Sequence, residues 1–446
     1  MSRGRFRSPF RSRGLAALGV VVATCVLWGL APAAPAQRDE VDLGTIEKQA
    51  YKRITLKMLE PEFETAEPQV RRSANEGRET LARDLIYSGL FYVMDQWASP
   101  YLPRGVTRAW NVTDENPERR PHEIHSIWRS EDGQLVIEMR LVDVLGTQIA
   151  GKRYKVEPGG ERSAMHHFAD EVVKRLTGVE GTAQTKIAFA RVRGERSEIY
   201  TVDYDGFGER QVTDRNVLSL SPVWGKGRKW IAFTSYLEGR PYLYRIDQGS
   251  SRMRVVSDRP GLNTAPEWSE EKKRYAVTLS HEGNAEVYTI DESGRRLKRL
   301  THHPAIDTSP SWSPRGDQIA FTSDRSGVPQ IYVMDSDGGN VRRLTYHNRY
   351  SDSPAWSPDG RWIAYVARWE GNIELRLMKP DGTDQRVVVS RGLNDGPSWA
   401  KDSRHSAFSS MRYGVRAFYV VDVYKRLERR LTSGSQDAIT PAWSRD

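Results

Sequence analysis

From residue 186 onward the chain reads as short β-rich runs of five or six residues, separated by turns that carry Gly, Asp or Asn. Gln318-Ile319-Ala320-Phe321-Thr322-Ser323 and Gln330-Ile331-Tyr332-Val333-Met334-Asp335 are two such runs, with Gly327 between them. Ser309-Pro310-Ser311-Trp312-Ser313-Pro314 precedes them, and Val341-Arg342-Arg343-Leu344-Thr345 follows the Gly338-Gly339 turn, which completes a four-stranded meander. The frame returns in Ser353-Pro354-Ala355-Trp356, Trp362 to Val366, Ile373 to Met378 and Gln385 to Val389. No helix-period segment intervenes, which excludes a parallel α/β arrangement here.

Tryptophan paces the repeat. Trp224, Trp268, Trp312, Trp356, Trp399 and Trp443 are separated by 44, 44, 44, 43 and 44 residues. A period of about 40 to 50 residues marks propeller blades, each of which buries its faces only by stacking on its neighbours. The Trp residues, one at the same place in each unit, are expected in the core, where stacked sheets need bulk. Lys186 to Ala190, Glu198 to Asp203 and Glu209 to Thr213 lack a preceding Trp strand, whereas the chain ends on an orphan Thr440-Pro441-Ala442-Trp443-Ser444. Pairing the two predicts a sixth blade built from both ends, so that a six-bladed all-β propeller is closed by the C-terminal strand and leaves no free edge.

Before the propeller the periodicity is mixed. Ser73-Ala74-Asn75-Glu76 is a capping-box pattern that opens a helix through Leu81, Leu85 and Ile86, with Gly89 placed to stop it. Met165, Phe168, Ala169, Val172, Val173 and Leu176 form one apolar face of a second helix, followed by Gly178. Strands are expected at Arg53 to Leu59, Leu135 to Val142 and Gln148 to Val156, giving a small α+β domain that ends at the short turn Gly178-Val179-Glu180-Gly181. The expected order is a signal peptide at 1–36, an α+β domain at 37–180 and the propeller at 181–446.

The first segment has the texture of a secretory signal. Five arginines up to Arg13 precede an apolar run from Leu15 to Leu30 and then Ala34-Pro35-Ala36, a small-residue cleavage pattern ending at Ala36. The run is short for a membrane span and leads directly into small residues, so the remaining chain is expected to carry no span. Cleavage there removes Cys25, the sole cysteine, and with it thiol catalysis and disulfides. It also removes five arginines, leaving 62 basic against 58 acidic residues. A balance so close to neutral gives little support to nucleic-acid binding.

Catalytic motifs fall away on inspection. Gly146-Thr147-Gln148-Ile149-Ala150-Gly151-Lys152 imitates a phosphate loop, but Arg153 stands where Ser or Thr is needed, and the segment reads as a hairpin turn. His122-Glu123-Ile124-His125 has the wrong spacing for a helical zinc motif. His166-His167 and His302-His303 read as packed or solvated imidazoles rather than metal ligands. No Gly-x-Ser-x-Gly elbow occurs. A secreted glycan-binding or hydrolytic propeller that uses a carboxylate pair remains the alternative class.

One constellation survives. The loops that enter the Trp strands surround one mouth of the central channel by propeller geometry, and Asp307, Asp352, Asp395 and Asp437 then form a partial carboxylate ring. Short Asp and Ser residues also serve simply as turn caps. The functional reading is a docking mouth for a protein loop, with calcium as a weakly held candidate cation, no other cofactor, and the metal question open.

His303-Pro304-Ala305-Ile306-Asp307-Thr308-Ser309-Pro310-Ser311-Trp312-Ser313-Pro314, followed by Ile319 to Arg325, is similar to the blade text of the TolB family of the bacterial Tol-Pal envelope system. Gly261-Leu262-Asn263-Thr264-Ala265-Pro266, Leu141-Val142-Asp143-Val144 with Gly146-Thr147-Gln148, and Lys174 to Gly181 resemble it too. The resemblance implies a periplasmic, monomeric, non-enzymatic adaptor that binds the lipoprotein Pal and the inner-membrane-anchored TolA, and also other outer-membrane proteins. Such an adaptor supports outer-membrane integrity, cell division and colicin import. It implies Pal contacts at Leu262, Asn263, Ala265, Thr308 and Ser309, and a TolA-binding segment at Asp39, Glu40, Val41, Asp42 and Leu43.

Overall fold

The structure is a computed structural model, which describes residues 53–65, 67–95, 121–347, 349–432 and 437–445. The expected signal peptide and the Asp39–Leu43 segment lie outside these residues.

The N-terminal elements are β1 (Ile54–Met58), β2 (Glu62–Phe63), α1 (Pro68–Tyr87), β3 (Phe91–Asp95), β4 (His122–Glu131), β5 (Gln134–Val142), β6 (Gln148–Val156) and α2 (Glu161–Thr177). The strands form one mixed sheet in the order β3-β1-β4-β5-β6, with β2 paired to β4. β1 runs parallel to both β3 and β4, and α1 supplies the crossover that a parallel β1–β3 pair requires. Helix α1 starts earlier than the Ser73 capping pattern implies, because Pro68 occupies the first turn, where its fixed φ is already helical. Ser73 therefore becomes a buried position on the inner face. The stops are where the glycines place them: Gly89 has φ 71°, and Gly178 has φ 73° with its N–H donating to Lys174 O at 2.9 Å.

Leu56, Leu81, Leu85, Trp128, Ile137, Met165, Phe168 and Val172 pack both helices onto the sheet. The turn after α2 is held tightly. Asp170 accepts the N–H groups of Ala183 at 2.8 Å and Gln184 at 3.2 Å, and a Cβ on Gly181 would come within 2.2 Å of its Oδ1.

Beyond α2 the regular elements of the described residues are strands, apart from one 3-10 turn at Lys226–Arg228. The order runs β7 (Lys186–Arg193), β8 (Arg196–Asp203), β9 (Arg210–Gln211); β10 (Ser219–Trp224), β11 (Trp230–Ser235), β12 (Tyr242–Asp247), β13 (Met253–Ser257); β14 (Asn263–Ser269), β15 (Arg274–Leu279), β16 (Glu286–Asp291), β17 (Lys298–Arg299); β18 (Asp307–Trp312), β19 (Gln318–Ser323), β20 (Gln330–Asp335), β21 (Arg342–Arg343). It continues with β22 (Ser351–Trp356), β23 (Ile363–Trp369), β24 (Asn372–Met378), β25 (Arg386–Val389); β26 (Leu393–Trp399), β27 (His405–Arg412), β28 (Val415–Asp422), β29 (Leu427–Arg430); and β30 (Ala438–Trp443).

Three antiparallel sheets are β10–β13, β14–β17 and β18–β21, and β22–β29 forms two such meanders joined by the single parallel bridge Ile373↔Leu393. The last strand, β30, pairs with β7 in the order β30-β7-β8-β9, and Lys186 and Ser444 exchange two further hydrogen bonds. Among the described residues no sheet closes on itself.

Packing between sheets carries the cohesion. Separate apolar clusters join β7–β9 to β10–β13, β10–β13 to β14–β17, and so on to the β26–β29 meander. The cluster that joins the latter back to β7 and β8, through Phe418, Val420, Phe189 and Trp443, is continuous with the core of the N-terminal sheet. Second-strand residues Phe189, Phe233, Val277, Phe321 and Phe408 are buried and face tyrosines Tyr200, Tyr244, Tyr288, Tyr332 and Tyr419 across the ladder. Each such cross-strand pair contributes about 0.2–1 kcal/mol beyond its burial.

The recurring Thr at the end of the outer strands has a defined task. Thr213, Thr301, Thr345 and Thr432 accept the backbone N–H of Ile199, Val287, Ile331 and Phe418 at 2.9–3.0 Å. A side chain thus substitutes for ladder bonds where the outer strand is only two residues long, as in β9, β17 and β21.

Candidate functional site

The Trp strands β10, β14, β18, β22, β26 and β30 share one irregularity. The register shifts between Leu220 and Val223, Thr264 and Glu267, Thr308 and Ser311, Asp352 and Ala355, Asp395 and Ser398, and Ile439 and Ala442. In every case the first residue of the bulge has a left-handed backbone, with φ 50° at Ser221, 48° at Ala265, 52° at Ser309, 54° at Ser353, 57° at Gly396 and 52° at Thr440. The second is Pro222, Pro266, Pro310, Pro354, Pro397 or Pro441. A bulge is where a strand tolerates a proline, since that position has no ladder bond to give. Five of the six left-handed positions hold a residue with a Cβ, each at about 1–2 kcal/mol of steric cost.

These bulges lie beside one another. Ser221 N donates to Thr440 Oγ1 at 3.3 Å, Ser353 Oγ to Asp395 Oδ1 at 3.4 Å, and Gly396 faces Pro441 and Thr440. The register sorts the sequence-derived site residues into three groups. Asn263 and Asp307 begin their strands and are fully buried: the Asn263 amide donates to Arg259 O at 2.7 Å, and Asp307 pairs with Arg325 at 2.7 Å. Burial pushes the Asp307 carboxyl up, against the pull of its partners. Thr308, Asp352 and Asp395 occupy the next position and are half-buried, while Ala265 and Ser309 are the bulge residues themselves. Leu262 and Asp437 precede their strands; Leu262 N donates to Ser280 Oγ at 2.8 Å, and Asp437 Oδ1 accepts Arg416 N at 3.0 Å.

The four aspartates therefore do not make one ring. Asp307 is turned into the sheet, and Asp437 is tied to the N–H of Arg416 near the start of β28. Asp352 and Asp395, at equivalent positions of adjacent strands, come together. Asp352 accepts Thr322 Oγ1, Tyr350 OH and its neighbour Ser353 N at 2.6–2.7 Å. Burial, then the Asp352 charge, raises the Asp395 carboxyl above the ordinary carboxylate range. No metal-competent trio includes these residues; among the described residues the sole cluster of that kind is Asp84, His166 and Asp205, on the other side of the molecule. There Arg162 and Arg83 already supply positive charge to Asp205.

Two features escaped the sequence reading. Ile306, Val328, Tyr346, Trp369 and Tyr413 are all exposed, and all lie in loops or at a strand end on the side of the sheets where the Trp strands begin. They give the mouth an apolar rim, with Val328, Trp369 and Tyr413 at the connections between second and third strands and Ile306 and Tyr346 in the loops that enter the next Trp strand. Further along the Trp strands, Glu267 pairs with Arg445 at 3.2 Å, and burial raises its carboxyl. The tryptophans themselves are buried; Trp224 and Trp399 donate to Ala442 O at 2.8 Å and Ala355 O at 2.9 Å on the neighbouring Trp strands.

Residues 173–446 match the model of a family described as the TolB beta propeller domain. A crystal structure of TolB from Acinetobacter baumannii superposes with a TM-score of 0.73 over 88% of this chain and 96% of that one, at 24% identity, a likeness of fold. Tol-Pal system protein TolB from Thiobacillus denitrificans is 32% identical over 136 residues, 30% of this chain and 31% of that protein. The protein of the same name from Desulfosudis oleivorans is 37% identical over 90 residues, 20% of each. The chain thus aligns with about a fifth to a third of the length of these relatives.

Proposed function

This chain belongs to the TolB β-propeller domain family, and from that premise we propose that it is a periplasmic, non-enzymatic adaptor of the Tol-Pal envelope system. The β10–β30 meanders and β7–β9 make six blades of one ring, a reading supported by the unbroken succession of inter-sheet clusters and by the β30–β7 pair. Residues 37–180 form the N-terminal domain and 181–446 the propeller, after removal of residues 1–36. Pal docks at the mouth. TolA engages the segment Asp39–Leu43, and through both contacts the adaptor serves outer-membrane integrity and division.

The observation that carries the docking reading is the strained ring. Left-handed residues with a Cβ, repeated in five of six Trp strands, persist only where the surroundings over-determine them, and such strain gathers where a surface must be presented in one shape. Thr308 and Ser309 are half-buried there beside the exposed Ile306. Asn263 and Asp307 are buried and act by shaping the bulge rather than by touching the partner.

Immobilised chain, residues 37–446, should capture a lipoprotein with a peptidoglycan-binding domain from solubilised envelope of its own organism. Thr308→Arg places a long charge in the mouth and should abolish that capture while thermal unfolding stays within about 1–2 °C of the unaltered chain, as for a half-exposed substitution. A Thr308→Arg chain that still captures its partner removes the mouth from the account.

A further inference from the structure

The N-terminal sheet and helices sit on the propeller at the end opposite the mouth, where the Trp strands finish. Tyr204, Asp205 and Phe207 in the β8–β9 turn, Arg404 in the β26–β27 turn and Lys425 in the β28–β29 turn all face it. Arg404 and Lys425 both donate to Gly89 O, and Arg429 donates to Tyr204 O at 2.6 Å while stacking on Tyr87. Phe207 lies under two guanidiniums, Arg83 at 4.6 Å and Arg162 at 4.2 Å.

At the centre of this seam Asp84 of α1 is enclosed. Its Oδ1 accepts Tyr204 OH from the propeller at 2.5 Å, and its Oδ2 meets His166 Nδ1 of α2 at 2.7 Å. Asp84, His166 and Tyr204 are 3%, 6% and 3% exposed, so water cannot replace either bond without opening the seam. We propose that Asp84, His166 and Tyr204 are a proton-loaded latch that fixes the N-terminal domain to the propeller while His166 is protonated and loosens when it is not.

The charges around the ring support the loaded state. Arg162 reaches within 3.4 Å of His166 Nε2 and opposes its proton, but it is committed to Asp205 Oδ2 at 2.7 Å and to Thr80 Oγ1 at 3.1 Å, and Arg83 adds to Asp205. Burial disfavours the imidazolium. The Asp84 hydrogen bond and charge, with Asp205, outweigh burial, so the His166 pKa is raised above the ordinary imidazole value. Burial raises Asp84, with its bonds to His166 and Tyr204 opposing, and raises the Tyr204 phenol further, so that it remains a donor.

The direction of the pH effect follows. A histidine whose folded pKa is raised contributes stability that is full below about 6.5 and is lost as pH climbs through the raised value. A buried carboxyl with a raised pKa is penalised as it ionises, so Asp84 changes the seam in the same direction. Asp205, whose pKa is lowered by Arg162 and His166 against burial, contributes stability above the ordinary carboxylate range, lost only in acid. Above about 6.5, the ordinary imidazole value, the loss comes from the hydrogen-bonded His166–Asp84 pair titrating together.

The test is amide hydrogen exchange of the full chain at pH 6 and pH 8, corrected for the intrinsic rate. Peptides spanning 79–90, 161–178 and 200–209 should lose protection severalfold at the higher pH, the linked loss as His166 gives up its proton. Peptides of β14–β21, away from the seam, should not change. His166→Gln and Asp84→Asn, the latter retaining an oxygen acceptor for Tyr204, should each erase the pH difference. A flat profile in the unaltered chain overturns the latch whether or not the variants fold, and so does an unaltered pH difference in either folded variant.

Discussion

At the mouth, Asp352 and Asp395 are half-buried carboxylates held by hydroxyls and a backbone N–H, and among the described residues neither is in an ion pair. At the seam, Asp84 and Asp205 are buried and matched to His166, Tyr204 and two guanidiniums drawn from three elements. The mouth repeats one left-handed bulge from Trp strand to Trp strand and carries exposed apolar side chains, whereas the seam continues the apolar core of Phe189, Phe418 and Trp443. A surface that must accept a partner keeps its polar groups available and its backbone shape fixed. A surface that joins two parts of one chain satisfies its charges internally, because an uncompensated buried charge is strongly destabilising.

The largest effect is expected from removing residues 437–446. That deletes β30, exposes the β7 edge and empties the Trp443 site, where loss of a buried aromatic alone costs about 3–5 kcal/mol. Soluble, cooperatively unfolding protein should be lost, as followed by circular dichroism during heating; a truncated chain that melts like the complete one would deny the pairing its role. Next comes the seam. Gly181→Ala drives a Cβ into Asp170 and should lower stability by about 1–3 kcal/mol in urea titration, without any change in the half-buried mouth positions.

A smaller pair of changes probes the mouth itself. Gly396→Val forces a β-branched residue to φ 57° and should cost about 1–2 kcal/mol, whereas Ser309→Gly should stay within about 0.5 kcal/mol, relief of strain offsetting the freedom gained by the unfolded chain. Equal costs would mean that the bulges are not strained. The smallest effect is electrostatic. Asp395 has a raised carboxyl, so its ionisation is penalised as pH rises above the unfolded value; Asp395→Asn should raise the unfolding temperature at pH 7, with the advantage fading toward pH 4.

The repeat was legible because each blade must bury the same positions, and the Trp spacing therefore survives in the sequence. The helix stops at Gly89 and Gly178 were legible for a related reason, since a left-handed stop selects glycine. The start of α1 was not, because Ser73 offered a cap pattern that Pro68 made unnecessary. The Ser-Pro, Ala-Pro, Gly-Pro and Thr-Pro pairs before each Trp were visible as text, but a bulge shows only in the register. That register separated Asp307 and Asp437 from Asp352 and Asp395, which loop position alone had grouped together. The Asp84–His166–Tyr204 contact joins residues as much as 120 positions apart, and no local pattern announces it.

The central claim is that the mouth, and not the seam, receives the partner. It is tested most directly by hydrogen exchange on residues 37–446 with and without saturating purified Pal from the same organism. Protection is expected at the starts of β14, β18, β22 and β26 and in the turns that carry Val328, Trp369 and Tyr413. Protection confined to α2, β6 or the β8–β9 turn, with the mouth unchanged, would contradict it.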